Sequence, residues 1–310
     1  MSGFRFGVIV RRAPSRAAFI DQACRIEDLG YAVLGVPDHL GEVFAPMPAL
    51  AVAAAATRTL RLATTVLNND LRHPVLVARE AATLDLLTDG RLELGLGAGY
   101  ARSEYDQAGL PFDRGRVRVE RLAESVTIVK RLLGGEPLSF AGQHYHLENH
   151  AIYPPPVQRP HPPILIGGNG GELLALAARE ADIVGLTGIA FRNDGGAPDL
   201  SAWRAATVDE RVRLVREAAG DRHDPLELNA LVQRVIVTGD RRAAADTLAR
   251  EWTGLTADEI LETPYALLGT VDQMVECLLA RRERWGISYV LVHQAHLEAC
   301  APVVARLAGR

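Results

Sequence analysis

The sequence predicts a (β/α)8 barrel, an α/β fold of eight parallel strands, with insertions at the C-terminal face of the strands. Three observations lead to this fold. Eight short apolar, β-rich runs follow one another along the chain, and a helical pattern of apolar residues follows each of them. Eight such units fit one barrel domain over residues 1–310 better than an open doubly wound sheet, which more often has about five to seven strands. Two stretches, 136–163 and 189–229, exceed ordinary loop lengths and are predicted to be lids or binding loops.

Each element is predicted from its local pattern. In the first β/α unit, Ser15 is the predicted N-cap of a helix and Gly30 its C-terminal stop. Gly90 and Gly134 are predicted to end two later helices in the same way. The eight predicted strands lie at residues 4–10, 32–37, 60–68, 91–97, 164–168, 181–188, 231–239 and 287–292.

Composition and charge restrict the classes of partner. The formal net charge is −4, so neither nucleic acid nor an anionic membrane surface is a predicted partner. The N-terminus lacks the pattern of a secretory signal, and no run reaches the roughly 18 apolar residues of a membrane span, which predicts a cytoplasmic protein. The three cysteines have no CxxC spacing, and the histidine-rich segment 143–150 has no cysteine nearby, so no metal site is predicted.

Three alternating glycines end the predicted fourth strand. In the segment GLGAG, Gly95, Gly97 and Gly99 have the spacing G-x-G-x-G, and no helix is predicted directly after them. A dinucleotide-binding fingerprint needs G-x-G-x-x-G between a first strand and its helix, so it is disfavoured. Two interpretations stay open: Gly97 and Gly99 let a flat ring or polar ligand approach the backbone, or the glycines form a tight bend at a barrel corner.

The segment ILIGGNGGELL predicts an anion site. A strand enters a glycine-rich turn and a helix begins at once, so free backbone N–H groups and the positive end of the helix converge. The residues assigned to this phosphate-binding turn are Gly168, Asn169, Gly170 and Gly171, with Asn169 adding a side-chain donor.

Four long segments together resemble the bacterial luciferase-like monooxygenase superfamily, and within it the branch that uses the deazaflavin coenzyme F420. They begin TTVLNNDLRHPVLVARE, GLGAGYARSEYDQAGLPF, YPPPVQRPHPPILIGGNGG and LGTVDQMVECLLARRERWG. The resemblance covers nearly the whole chain except residues 189–229. It implies the barrel fold and a ring-shaped redox coenzyme held at the carboxyl ends of the strands.

The resemblance assigns the acid/base pair to the motif PDHL at the end of the second strand. His39 is the expected general acid/base beside the redox carbon, because histidine titrates near neutral pH. Asp38 is expected to orient His39 or to meet substrate. The alternative is a purely structural histidine.

The resemblance also assigns the residues that bind the ring. Thr65–Val66 matches the position of a non-proline cis peptide that backs the ring, and Asn68 is expected to bond its pyrimidine edge or ribityl chain, or else to form a polar turn. Tyr100 and Ser103 are expected to face the coenzyme. Some relatives carry an acid at the position of Tyr100, and this departure leaves a second acid unidentified; Glu104 is expected to be a structural salt-bridge or cap residue.

The predicted function is therefore an F420-dependent oxidoreductase that transfers hydride between the deazaflavin and a small organic substrate. Two alternatives remain: a monooxygenase that uses reduced FMN from a separate reductase, and a non-catalytic coenzyme-binding protein. The resemblance implies a homodimer. Phe44, Phe191 and Trp203 are predicted either to line the substrate mouth or to pack in the core.

Overall fold

Eight parallel strands close into a barrel, as predicted. The computed structural model describes residues 3–187, 199–222 and 226–310. Closure is visible in the pairing, because the first strand pairs with both the second and the last strand, and the third strand pairs with the fourth. The barrel strands are β1 (Arg5–Ile9), β2 (Val33–Val36), β3 (Arg61–Thr64) with its continuation β4 (Leu67–Asn68), β5 (Leu92–Gly97), β8 (Ile164–Gly168), β9 (Ile183–Leu186), β10 (Glu227–Val232) and β13 (Ile287–His293).

Helices surround the barrel, and the first of them has the N-cap residue and the C-terminal glycine that the sequence predicts. Ser15 caps the first helix by accepting a hydrogen bond from the Ala18 N–H at 3.2 Å, and Gly30 follows its end with a left-handed φ of +81°. The helices are α1 (Arg16–Asp28), α2 (Pro46–Ala56), α3 (Pro74–Leu87), α4 (Arg102–Ala108), α5 (Gly115–Leu133), α6 (Gly171–Glu180), α7 (Ala205–Ala219), α8 (Arg241–Glu251), α9 (Ala257–Glu262), α10 (Val271–Trp285) and α11 (Leu297–Leu307). In the described part of the chain, no helix combines the length and the apolar character needed to cross a bilayer.

The predicted seventh strand, 231–239, is wrong in its position. The barrel strand is β10, which ends at Val232, and the chain then leaves the barrel at Gln233. The residues after it form β11 (Arg234–Val237), which pairs in a separate two-stranded parallel sheet with β12 (Ala266–Gly269). Because the apolar run continues through both strands, the sequence shows no break between them.

The first long stretch starts on the side of the barrel opposite to the predicted one. It connects α5 to β8, so both of its ends lie at the amino-terminal side of the strands. Within it, β6 (Leu138–Ala141) and β7 (His146–His150) form an antiparallel hairpin. The tip of this hairpin alone reaches the third barrel strand, where Asn69 Nδ2 donates to the Tyr145 hydroxyl at 3.2 Å.

In the second long stretch, α7 packs against α6 and α10 in the outer ring of helices. Residues 189–198, including Phe191, lie outside the described residues. The other two predicted wall residues pack within the protein. The Phe44 ring makes an edge contact with Phe19 at 5.2 Å between centroids, and the buried Trp203 ring lies at 4.6 Å from Trp252.

Candidate active site

The His39 side chain is held in place at the carboxyl end of β2. Its Nδ1–H donates to the Glu104 carboxylate at 2.7 Å, and the Leu40 N–H donates to the other oxygen of Glu104 at 3.3 Å. Because Glu104 accepts the hydrogen bond from Nδ1–H, Nε2 is the nitrogen of the ring that can accept a proton. The two side chains are only 19% and 18% exposed, so the pair lies at the edge of the barrel mouth with access to solvent.

The hydroxyl of Tyr100 completes a short chain of hydrogen bonds with this pair. It lies 3.2 Å from His39 Nε2, and the two rings meet edge to face. Desolvation of the hydroxyl and the nearby Glu104 carboxylate raise the pKa of Tyr100, while the positive charge of Arg11 opposes them. Tyr100 therefore keeps its proton at neutral pH and can donate a hydrogen bond to Nε2.

The acid that contacts His39 is Glu104, whereas the sequence had assigned this role to Asp38. The Asp38 carboxylate is buried against Arg72, at 2.5 Å from Nη1, and accepts a hydrogen bond from the Asn68 N–H at 3.0 Å. Asp38 therefore holds the backbone at Asn68 and the side chain of Arg72 in place after the third strand. Glu104 lies on α4, which begins at Arg102, although no helix was predicted directly after Gly99. The left-handed Gly109 at the end of α4 is the sequence signal for this short helix.

The Thr65–Val66 peptide bond is cis, which confirms the predicted bond geometry. The Thr65 hydroxyl is buried and has no hydrogen-bond partner among the described residues. The Asn68 Oδ1 accepts from the Tyr105 hydroxyl at 2.9 Å and from the Asp70 N–H at 3.1 Å. Its side-chain carbonyl therefore forms the polar turn of the alternative interpretation, and a contact of Asn68 with a coenzyme stays a prediction.

Neighbouring protein atoms occupy the space beside the two glycines assigned to ring approach. A Cβ on Gly97 would lie 2.5 Å from Val66 Cγ2, and one on Gly99 would lie 2.0 Å from the Tyr105 hydroxyl. Gly99 also has a left-handed φ of +73°. The second interpretation, a tight bend, is the one that describes these positions. Ser103 is exposed on α4, one residue before Glu104.

In the predicted anion turn, packing fills the space beside Gly168, Leu214 lies 3.4 Å from a Cβ on Gly171, and only Gly170 is open among the described residues. A Cβ on Gly168 would lie 2.1 Å from Leu173 Cδ2, so this glycine is needed for packing. Nothing lies within 4 Å of a Cβ on Gly170, and no side chain caps α6, which begins at Gly171. Asn169, between Gly168 and Gly170, is half-buried. The first turn of α6 therefore directs backbone N–H groups toward open space at the barrel mouth.

The family model for luciferase-like monooxygenases matches residues 2–285 of this chain. The chain belongs to the luciferase-like monooxygenase family. Among its relatives, an F420-dependent glucose-6-phosphate dehydrogenase of Nakamurella multipartita is 33% identical over 250 residues, which cover 78% of this chain and 69% of that protein. An F420-dependent hydroxymycolic acid dehydrogenase of Mycobacterium tuberculosis is 30% identical over 248 residues, which cover 77% of this chain and 64% of that protein.

A solved structure shares the fold over almost its full length. The coenzyme F420-dependent tetrahydromethanopterin reductase of Methanopyrus kandleri superposes with a TM-score of 0.78 at 18% identity, covering 99% of this chain and 100% of that one. The site residues described above therefore lie at the carboxyl ends of the strands of a luciferase-like barrel, the face that carries the active sites of (β/α)8 enzymes.

One part of this luciferase-like site was missed by sequence reasoning. A cavity of about 400 Å³ opens at the carboxyl ends of β1 and β13. His293, at its wall, donates from Nε2 to Gln233 Oε1 at 3.1 Å, and burial, aided by His296 and Arg11, lowers the pKa of His293 to about 4. The available signal was the pair of arginines directly after the first strand, where barrel loops begin.

Proposed function

We propose that this protein is a coenzyme F420-dependent oxidoreductase that transfers hydride between the deazaflavin and a carbon atom of a small organic substrate. The single observation that carries the proposal is the hydrogen-bonded row Glu104, His39 and Tyr100 at the barrel mouth. A histidine fixed by a carboxylate on one nitrogen presents its other nitrogen as a proton acceptor or donor. The F420-dependent dehydrogenases among the relatives support the choice of coenzyme.

The residues at the mouth fit such a coenzyme. The open turn at Gly170, with the first turn of α6 that no side chain caps, suits a phosphate group. The buried Thr65 hydroxyl, which lacks a partner among the described residues, is available to a polar edge of a ring. When bound, coenzyme F420 supplies the two-electron hydride acceptor or donor that side chains cannot provide.

The side chains supply the accompanying proton transfer. For oxidation of an alcohol, His39 Nε2 accepts the hydroxyl proton as the carbon gives up its hydride, and Glu104 stabilises the resulting imidazolium through Nδ1–H. Tyr100 keeps its proton and orients Nε2 or the substrate oxygen by a hydrogen bond. For reduction of a carbonyl, the same atoms act in reverse, with protonated His39 giving its Nε2 proton to the substrate oxygen.

Two other functions have weaker support. A monooxygenase that uses reduced FMN from a separate reductase is consistent with the family description, because one barrel supports both ring chemistries. A non-catalytic coenzyme-binding protein would have no need for the ordered Glu104–His39 pair. We also propose a homodimer, supported by the exposed Leu76 and Leu87 on α3 and Val52 on α2, and a cytoplasmic location stays a prediction.

Titration of the purified protein with F420 and with FMN, followed by ring fluorescence, tests the coenzyme. We expect binding of F420, and reduction of the bound ring by a panel of alcohols. His39→Asn is expected to keep F420 binding and to lower turnover by about 100- to 10,000-fold, the usual contribution of general acid/base catalysis. Preferential binding of FMN with oxygen-dependent product would select the monooxygenase, and F420 binding without turnover by the parent would select the non-catalytic protein.

A further inference from the structure

The cavity at the ends of β1 and β13 lies beside β2, the strand whose carboxyl end carries His39. Its backbone is fixed, because the Arg11 N–H donates to Gln294 Oε1 at 2.7 Å and Gln294 Nε2 donates to the Arg12 carbonyl at 3.1 Å. The Phe44 N–H donates to the Arg11 carbonyl at 2.8 Å, which ties the loop carrying His39 to the same strand end. The lining residues are Ile9, Arg11, Arg12, Glu42, His293, Gln294 and Ala295.

The charges around this cavity leave one uncompensated cation. The Arg12 guanidinium forms an ion pair with the Glu42 carboxylate, so these two charges neutralise each other. His293 is neutral at pH 7, because burial lowers its pKa to about 4. The Arg11 guanidinium forms no ion pair or side-chain hydrogen bond with any residue that the structure describes. The cavity therefore has a net positive charge at neutral pH.

Arg11 is close enough to the acid/base residues to act on the same small molecule. Arg11 and His39 follow neighbouring barrel strands, because β1 pairs with β2 and the Val10 N–H donates to the Gly35 carbonyl at 2.8 Å. The Tyr100 hydroxyl lies 3.2 Å from His39 Nε2. An anionic group at Arg11 would thus leave the other end of a short substrate at His39.

We propose that Arg11 selects substrates that carry an oxyanion, a carboxylate or a phosphate monoester, on the same small molecule as the reacting alcohol or carbonyl carbon. This inference rests on the proposed function for the reacting end of the substrate. A guanidinium binds such groups with two parallel hydrogen bonds, and the neutral Gln294 and His293 in the cavity wall add no competing charge. The Arg12–Glu42 pair, whose side chains are 67% and 84% exposed, lies at the solvent side of the cavity.

Matched substrate pairs test the proposal with F420 as the coenzyme. Lactate against methyl lactate tests the carboxylate, and glucose 6-phosphate against glucose tests the phosphate. We expect the anionic member of at least one pair to be oxidised with the higher kcat/KM. Arg11→Gln should lower kcat/KM for that member by about 10- to 100-fold, mainly through KM, while the neutral member changes by less than about twofold.

Arg11→Lys and Arg131→Gln are the control variants. The lysine keeps the charge but loses the paired hydrogen bonds of the guanidinium, so an intermediate kcat/KM is expected. Arg131→Gln removes one exposed positive charge near the end of α5, on the opposite side of the barrel from the cavity, and should match the parent. An Arg11→Gln variant that discriminates within each pair as well as the parent does would overturn the proposal.

A second measurement separates failure of this inference from failure of the proposed function. Inorganic phosphate is titrated into the parent, Arg11→Gln and Arg131→Gln proteins by calorimetry, and the turn before α6 contributes the same background binding to all three. Weaker binding in Arg11→Gln alone supports the anion site even if no F420 binds, in which case only the proposed function fails. Equal phosphate binding in all three proteins, together with normal F420 binding, overturns the anion site and leaves the proposed function standing.

Discussion

At the scale of single residues, the site depends on which carboxylate faces His39. Sequence reasoning placed His39 at the end of the second strand and expected Asp38 to orient it or to meet substrate, while Glu104 was expected to be a structural salt-bridge or cap residue. Successive residues after a strand point in different directions, so adjacency in sequence did not bring Asp38 onto the ring. The contact with Glu104 spans 65 residues and needs α4, a seven-residue helix whose pattern is too short to predict a face.

The two carboxylates should respond differently to removal of their charge. Glu104→Gln is expected to lower turnover about 10- to 100-fold, because His39 loses the group that orients it and stabilises its charged form, while the unfolding midpoint changes little. Asp38→Asn is expected to lower the free energy of unfolding by about 2 to 3 kcal/mol, because it leaves the Arg72 guanidinium partly buried without its partner.

Steady-state turnover with F420 and urea unfolding of both variants make the comparison. Circular dichroism of each variant at 25 °C confirms that the activity is measured on folded protein. Loss of turnover without loss of stability in Asp38→Asn, with a fully active Glu104→Gln, would return the orienting role to Asp38 and contradict the assignment.

At the scale of elements, the three glycines in and just after β5 show that one motif can have two interpretations. From the alternation Gly95, Gly97, Gly99, the sequence left open whether a ring or polar ligand approaches the backbone at this point or the glycines form a tight bend. The structure places the third strand there: a Cβ on Gly95 would lie 2.0 Å from the Thr64 carbonyl oxygen. Sequence alone cannot decide this, because the approaching strand comes from about thirty residues earlier in the chain.

Gly95→Ala is therefore expected to destabilise the protein by about 2 to 3 kcal/mol, because the new methyl group must displace the Thr64 backbone in a packed barrel wall. Gly115→Ala, at the first position of α5 with nothing within 4 Å of its Cβ, is the matched control and should leave stability unchanged or slightly higher. Urea unfolding measures both. Equal stability of the two variants would mean that β5 can shift to accept the methyl group.

At the scale of the whole molecule, eight strands are predictable from eight apolar runs. Closure of the barrel depends in addition on contacts between strands that are far apart in the sequence. Charged side chains inside the amino-terminal end connect distant strands. Arg5 of β1 donates to Glu93 of β5 at 2.6 Å and to Glu227 of β10 at 2.9 and 2.6 Å, while Arg61 of β3 also donates to Glu93 at 2.5 Å. The seventh strand was misplaced for the same reason: its first residue, Glu227, is identified by its contact with the distant Arg5 and not by the local pattern.

Removal of Arg5 tests how much this cluster contributes to holding the barrel together. Burial by itself lowers the pKa of Arg5, but the charges of Glu93 and Glu227 outweigh it and raise the pKa, so the guanidinium stays protonated in the protein. Arg5→Met would leave Glu227 unpaired and Glu93, which is 1% exposed, with Arg61 alone. We expect a loss of about 3 kcal/mol in the free energy of unfolding.

Arg25→Met provides the matched control for Arg5→Met, because Arg25 also forms a two-bond ion pair, with Glu298, but on the surface. Water already screens that pair, so its removal should leave the unfolding midpoint where it is in the parent protein. Urea unfolding at low and at high salt measures both variants, and the difference between them should persist at high salt because the barrel end excludes ions from the cluster. If Arg5→Met were as stable as Arg25→Met, apolar packing of the strands would suffice to close the barrel, and the buried charges would have no stabilising role.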